Sequence, residues 1–200
     1  MAVVSGGTTL IDNGALDAAV PTGSLILLST QTASASASIE FTSGIDSTYD
    51  SYVFKYISIH PATNGANFEF NMSTDGGSTY AVTKTTTYVD AYHIENDTAA
   101  GLEYYTAGDL AQSTAYQTLG ISVGNGADET ISGQIQIFNP SSNTFVKHFI
   151  SRANTYYSAD YSLDNYVAGY GNTTNAIDAV QFKMSSGNID DGIIKMYGVK

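Results

Sequence analysis

Apolar and polar residues alternate along this chain in short runs, the period-two signature of strands with one buried face. Ser38-Ile39-Glu40-Phe41-Thr42 and Ala66-Asn67-Phe68-Glu69-Phe70-Asn71-Met72 follow it strictly. Tyr52–Ile59 is the longest β-rich segment. On a regular strand its aromatics share one face while Val53, Ile57 and Ile59 share the other with Lys55, as expected for a central strand. Ser24–Ser29 is a continuous apolar run, short enough for a buried strand. Asp75-Gly76-Gly77-Ser78 is a turn sequence, and it predicts a hairpin between Ala66–Met72 and Thr79–Val82. The threonine run Thr85–Val89 favours a strand, because Thr is stiff at its first side-chain torsion.

Further strands are expected at Tyr116–Val123, Ile131–Phe138, Thr144–Arg152, Tyr166–Tyr170, Ala179–Met184 and Ile193–Tyr197, each bounded by Gly, Asn, Asp or Pro. A helix is compatible only with the neighbourhood of Ala107–Leu110, and it would be short. Roughly ten to twelve short strands at fairly regular spacing predict an all-β fold. At this size a two-sheet antiparallel sandwich, jelly-roll-like in preference to immunoglobulin-like, accommodates them. Residues 24–200 then form a single β-sandwich domain. Residues 1–23, with Gly6, Gly7, Gly14, Pro21 and Gly23 and few large apolar side chains, read as an extended N-terminal arm. Its apolar pieces, around Leu10, Ile11 and Val20, could add a strand to a neighbouring subunit.

Composition narrows the function classes. Charged residues make up 13%, about half the usual share, so the surface is rich in hydroxyls and amides and suits binding through many weak hydrogen bonds. The net charge of -12 repels phosphate backbones and anionic headgroups, so neither nucleic acid nor membrane is expected as a partner. With no cysteine, disulfides and thiolate metal sites are excluded. The first residues lack the basic start and apolar core of a secretory signal; a role outside cells would imply release by lysis or within an assembled particle.

Candidate chemistry is sparse. His60, His93 and His148 are residues that ligate metals, and His93 and Glu95 would project from one face of a strand, but a third ligand would have to come from far along the chain. Ordinary hydrogen-bonded histidines account for them. Asp75-Gly76-Gly77 and Asp190-Asp191-Gly192 place carboxylates in loops where calcium could sit, yet neither has the spaced pattern of a calcium loop and turn chemistry explains both. No Gly-x-Ser-x-Gly elbow, phosphate-cradling glycine loop or cysteine nucleophile is present, so no enzyme activity, catalytic residue, metal or cofactor is expected. Fifteen tyrosines stand out, with Tyr104, Tyr105, Tyr156 and Tyr157 as candidate interface residues, because a phenol offers a flat apolar face and a hydroxyl to a subunit or a sugar.

Asn139–Phe145, Val167–Tyr170, Gln181–Ile189 and Gly192–Gly198, with Gly44–Tyr52 and Ile59–Thr63, resemble a group of virion proteins of marine tailed phages over most of residues 24–200. The Ser-Ser-Gly-Asn turn followed by Gly-x-Ile-Lys-Met-Tyr-Gly is similar to phage surface proteins with jelly-roll-like domains. The resemblance implies membership of a particle and supplies no catalytic residues. The expectation is a non-enzymatic capsid decoration protein on the outer surface of the virion, made in the host cytoplasm. It would be a homotrimer docked on the major capsid protein or another virion protein. The alternative is a tail fibre or adhesin subunit binding a host surface glycan, although a chain of this length leaves little room for a fibre shaft. The Ile193–Tyr197 strand is expected to close the core, with Ile194 and Met196 inward and Lys195 outward.

Overall fold

The computed structural model describes residues 25–200 and, nearer the N-terminus, three short strands. These are β1 (Val3–Ser5), β2 (Thr8–Asp12) and β3 (Ala15–Leu16), which pair antiparallel with β2 in the middle. Twelve further strands follow: β4 (Ile26–Ser36), β5 (Ile39–Phe41), β6 (Ser51–Pro61), β7 (Ala66–Ser73), β8 (Lys84–Ile94), β9 (Ala100–Tyr104), β10 (Gln117–Val123), β11 (Ile131–Phe138), β12 (Lys147–Tyr157), β13 (Tyr161–Gly171), β14 (Ala179–Met184) and β15 (Ile189–Val199). Among the described residues there is no helix, and Ala107–Leu110 lies in a turn region.

All twelve belong to one antiparallel sheet. Nine run in the order β4-β15-β6-β11-β12-β10-β7-β14-β5, and the two end strands are joined by only Ala37 and Ser38, so the sheet curls back nearly into a barrel. The ladder between β12 and β10 has a single pair, Tyr157 opposite Val123, flanked by hydrogen bonds from Gly124 N to Tyr156 O and from Ser158 N to Ser122 O. From the other side of β12 a branch of three strands, β13-β8-β9, extends outward. The β12–β13 hairpin is paired over its whole length, from Lys147 opposite Gly171 to Tyr157 opposite Tyr161.

Inside the curl the alternation becomes packing. Phe41 of β5, Phe68 and Phe70 of β7 and Phe182 of β14 meet Phe54 and Tyr56 of β6 and Phe149 of β12. The ring centroids are 5.2 Å apart for Phe41–Phe54, 5.0 Å for Tyr56–Phe68 and 5.0 Å for Phe70–Phe149, within the range where edge-on and tilted aromatic pairs attract. Ile194 and Met196 of β15 are 1 % exposed and face this core, while Lys195 points away.

Four expectations from the sequence are corrected. The run beginning at Leu25 is not a buried strand: β4 is a sheet end, and Leu27 is 52 % exposed. The hairpin after β7 does not form, since β7 pairs with β10 and β14. The Asp75 turn is present, but Thr79–Val82 forms no ladder, because side chains take up its carbonyls: Asn71 Nδ2 donates to Tyr80 O at 2.7 Å and Lys84 Nζ to Val82 O at 2.7 Å. Asp190–Gly192 lies within β15 and not in a loop.

The fourth correction concerns β6. Ile59 does not share a face with Val53 and Ile57; it is fully buried with the aromatics, while Ile57 is 43 % exposed. Ser58 adopts φ 50°, a bulge that inserts one residue and reverses the parity beyond it. Gly192 on the neighbouring β15 accommodates this, at φ 126°; a Cβ there would lie 2.8 Å from the Ile59 Cα.

Candidate functional site

Among the described residues two surfaces stand out, and the branch β13-β8-β9 contributes to both. The first is the outer face of the eight strands β9-β8-β13-β12-β11-β6-β15-β4. Strand pairing places one residue from each in a row straight across it: Tyr104, Val89, Tyr166, Arg152, Gln134, Lys55, Lys195 and Thr30. Beside this row stand Leu102, Ile150 and Ile57, which are 73 %, 52 % and 43 % exposed. Its centre is a trough of about 410 Å³ floored by Ala168 and Thr87 and edged by Gln134, Gln136, Ile150 and Tyr166.

Electrostatics sets this face apart. On a chain of net charge -12 it carries Lys55, Lys195 and Arg152, three of its seven Lys and Arg residues, whereas Lys84 and Lys147 are fully buried. Arg152 sits 4.8 Å from the Tyr166 ring centre and donates to Asp164 at 2.7 Å; that pair holds the Asp164 carboxyl below the usual carboxylate range. Lys55 lies 5.6 Å from the Tyr197 ring centre. Flat rings carrying cations make a rigid, amphipathic surface.

The second surface is a cleft of about 420 Å³ between the branch and β10. Its walls are Tyr92 and Ile94 of β8, Glu103 of β9, Tyr105 just beyond β9, Ile121 and Ser122 of β10, and Tyr157, Tyr161 and Leu163 at the β12–β13 turn. Tyr92 stacks on Tyr161 at 5.9 Å and Tyr161 on Tyr157 at 5.0 Å. Asp90 lines the cleft at 1 % exposure, and among the described residues neither carboxylate oxygen has a hydrogen-bond partner. Burial pushes the Asp90 carboxyl up, and the facing Glu103 adds to this.

The tyrosines singled out from the sequence divide between these places. Tyr105 and Tyr157 line the cleft, and Tyr104 stands on the outer face with its hydroxyl donating to Asp109 at 2.6 Å. Tyr156 borders a separate hollow with His93 and Glu95. Leu10 and Ile11 fall in β2, flanked by β1 and β3 of the same chain; their side chains, and Val20 altogether, lie outside the described residues. His60 Nδ1 is 2.8 Å from Glu129 O, exposed His93 contacts Asp97 at 3.0 Å, and His148 lies against Tyr170. Asp75 serves its turn, accepting from the Ser73 hydroxyl at 2.6 Å and Thr79 N at 2.9 Å, bonds that hold its carboxyl low.

Asp90, Glu103, Arg152 and Ile150 were not singled out from the sequence. Asp90 did leave a signal: it occupies the inward parity of β8, in step with Tyr88 and Tyr92, where an apolar residue belongs. The fold and these surfaces define an all-β, antiparallel protein with a broad exposed sheet face and a tyrosine-lined cleft. A comparison with protein-family models, curated proteins and solved structures found no match to this chain.

Proposed function

We propose that this chain is a non-enzymatic structural protein of a tailed-phage particle, which decorates the capsid as a homotrimer and associates through the outer face of its eight-strand ladder. The single observation that carries the assembly role is that face: a row of side chains crossing eight strands, with Tyr104 and Tyr166 exposed in it and Leu102 and Ile150 exposed beside it. Apolar groups in one plane, interrupted by Arg152 and two lysines, have the composition of a subunit interface. A second copy is favoured as occupant because three cations of an acidic chain gather here, so this face attracts the acidic surface of a neighbouring copy, the kind of head-to-tail contact that a closed ring of three uses. The placement on a virion rests on the resemblance carried by Gln181–Ile189 and Gly192–Gly198. We read this nearly closed sheet as a jelly-roll-like sandwich, a reading supported by the packing of β10-β7-β14-β5 against β12-β11-β6 and by the single ladder pair, Val123–Tyr157, at their junction.

A second reading has its own observation. The trough sets the Tyr166 ring beside Gln134, Gln136 and Arg152, a combination of flat apolar and planar polar groups that suits a sugar. That is the adhesin reading, with a host surface glycan as ligand. Light scattering on the purified chain together with a glycan array separates the two. A trimer without sugar binding supports assembly; a monomer that binds a defined glycan through the trough overturns it. Addition of the protein to capsids that lack it tests the location, with saturable occupancy of the head as the expected result.

A further inference from the structure

The cleft between the branch and β10 ends on a carboxylate that no group among the described residues neutralises. Other polar side chains on the inner face of β8 have partners: Lys84 Nζ donates to Asn71 Oδ1 at 2.6 Å, Thr86 Oγ1 to Gln117 Oε1 at 2.6 Å and the Tyr88 hydroxyl to Asn165 Oδ1 at 2.5 Å. Asp90, next in that series, is equally buried and has none. An uncompensated buried charge is among the least favourable features a fold can retain, and a group of opposite charge in the cleft would relieve it.

The walls indicate what kind of cation fits. Glu103 sits directly opposite Asp90 in the β8–β9 ladder, so a second negative charge flanks the same space. Tyr92, Tyr161 and Tyr157 form a continuous stack on one side, and Tyr105 adds a fourth ring. These rings give the cleft an apolar, polarisable wall, which favours a cation that is weakly hydrated and carries carbon over a small, strongly hydrated ion. Calcium and similar ions want six to eight oxygens, whereas among the described residues two carboxylates reach this cleft. A neutral hydroxyl ligand could donate to Asp90 but would leave its charge in place. The volume, about 420 Å³, suits a small organic ligand.

We infer that this cleft is a binding site for a small alkylammonium ion, with its nitrogen held by Asp90 and Glu103 and its carbons against the rings of Tyr92, Tyr105, Tyr157 and Tyr161. The site is independent of the assembly face, because Asp90 and Glu103 project from the opposite side of the same strands as Val89 and Tyr104.

Titration calorimetry on the full chain at constant ionic strength tests this with three probes: choline chloride, its uncharged isostere 3,3-dimethyl-1-butanol, and calcium chloride. Choline is expected to bind saturably at one site in the millimolar range or tighter, with the isostere at least about tenfold weaker. Asp90→Asn is expected to weaken choline binding by about tenfold or more while the circular dichroism spectrum is kept. Glu103→Gln, at an exposed position, provides a second variant if Asp90→Asn does not fold, with a loss of about threefold. No saturable choline heat in the tens of millimolar, equal binding of the isostere, choline binding that survives both substitutions, or calcium binding that excludes choline would each overturn the inference.

Discussion

Two buried ionisable side chains make Asp90 and Lys84 the residues at which solution conditions act most directly. The Asp90 carboxyl is raised by burial and by Glu103, so it costs no stability below its unfolded pKa, a cost that grows as pH rises from there and is complete above its folded pKa. Asp90→Asn, which keeps the shape and removes the charge, is expected to raise stability at pH 7 by about 1–2 kcal/mol without ligand, measured by urea unfolding. An unchanged or lowered midpoint would mean that the carboxylate is already compensated. Lys84 is fully buried, with Asn71 Oδ1 and Val82 O as its acceptors, and burial lowers it from 10.5 to about 7. Below pH 7 both folded and unfolded chains hold the proton and the burial penalty is complete. Between pH 7 and 10.5 the unfolded chain binds the proton more tightly, so this residue makes stability rise with pH. The difference in unfolding free energy between the native chain and Lys84→Met is therefore expected to change by on the order of 3 kcal/mol between pH 6.5 and 9.5, in favour of the native chain at the higher pH.

At the scale of strands, the bulge in β6 decides which side chains reach the core. Strict alternation from Tyr52 would send Ile59 outward, and the left-handed Ser58 turns it in. The Ser58 amide donates to Ser132 Oγ at 2.9 Å, which anchors the extra residue to β11. Ser58→Val, a β-branched residue at φ 50°, is expected to cost about 1–2 kcal/mol, whereas Ser58→Gly should be neutral or slightly stabilising; equal effects in thermal unfolding would refute the role of backbone strain. The failed hairpin after β7 belongs to the same scale. The Asp75 turn was legible from its residues, but a turn only reverses the chain. Whether two strands then pair depends on what else competes for their backbone groups, here the buried side chains of Asn71 and Lys84.

Across the whole molecule, the face and the cleft both depend on the branch β13-β8-β9, which widens one side of the curled sheet. If copies associate through that face, Ile150→Asp with Leu102→Asp is expected to shift light-scattering mass from trimer to monomer with little change in unfolding midpoint, because both side chains are exposed. Retention of the trimer by the double variant would send the interface elsewhere. The oligomer and the surface it uses are linked at this scale, since a homotrimer must present complementary patches around a closed three-fold axis.

Local pattern sufficed for the all-β class, for β11 and β14 at their observed limits, and for the inward Ile194 and Met196 of β15, because period-two alternation reports which side of a strand is dry. It also marked Tyr105 and Tyr157 without showing that they face one space. Their meeting, and the presence of Asp90 in the same cleft, follow from β8, β10 and the β12–β13 turn converging across long sequence separations. The exposure of Leu27 and Ile150 likewise depends on which strands end a sheet and which face has no cover. Alternation is a property of neighbours along the chain; burial, charge compensation and the shape of a cleft are properties of neighbours in space, and only the tertiary structure decides those.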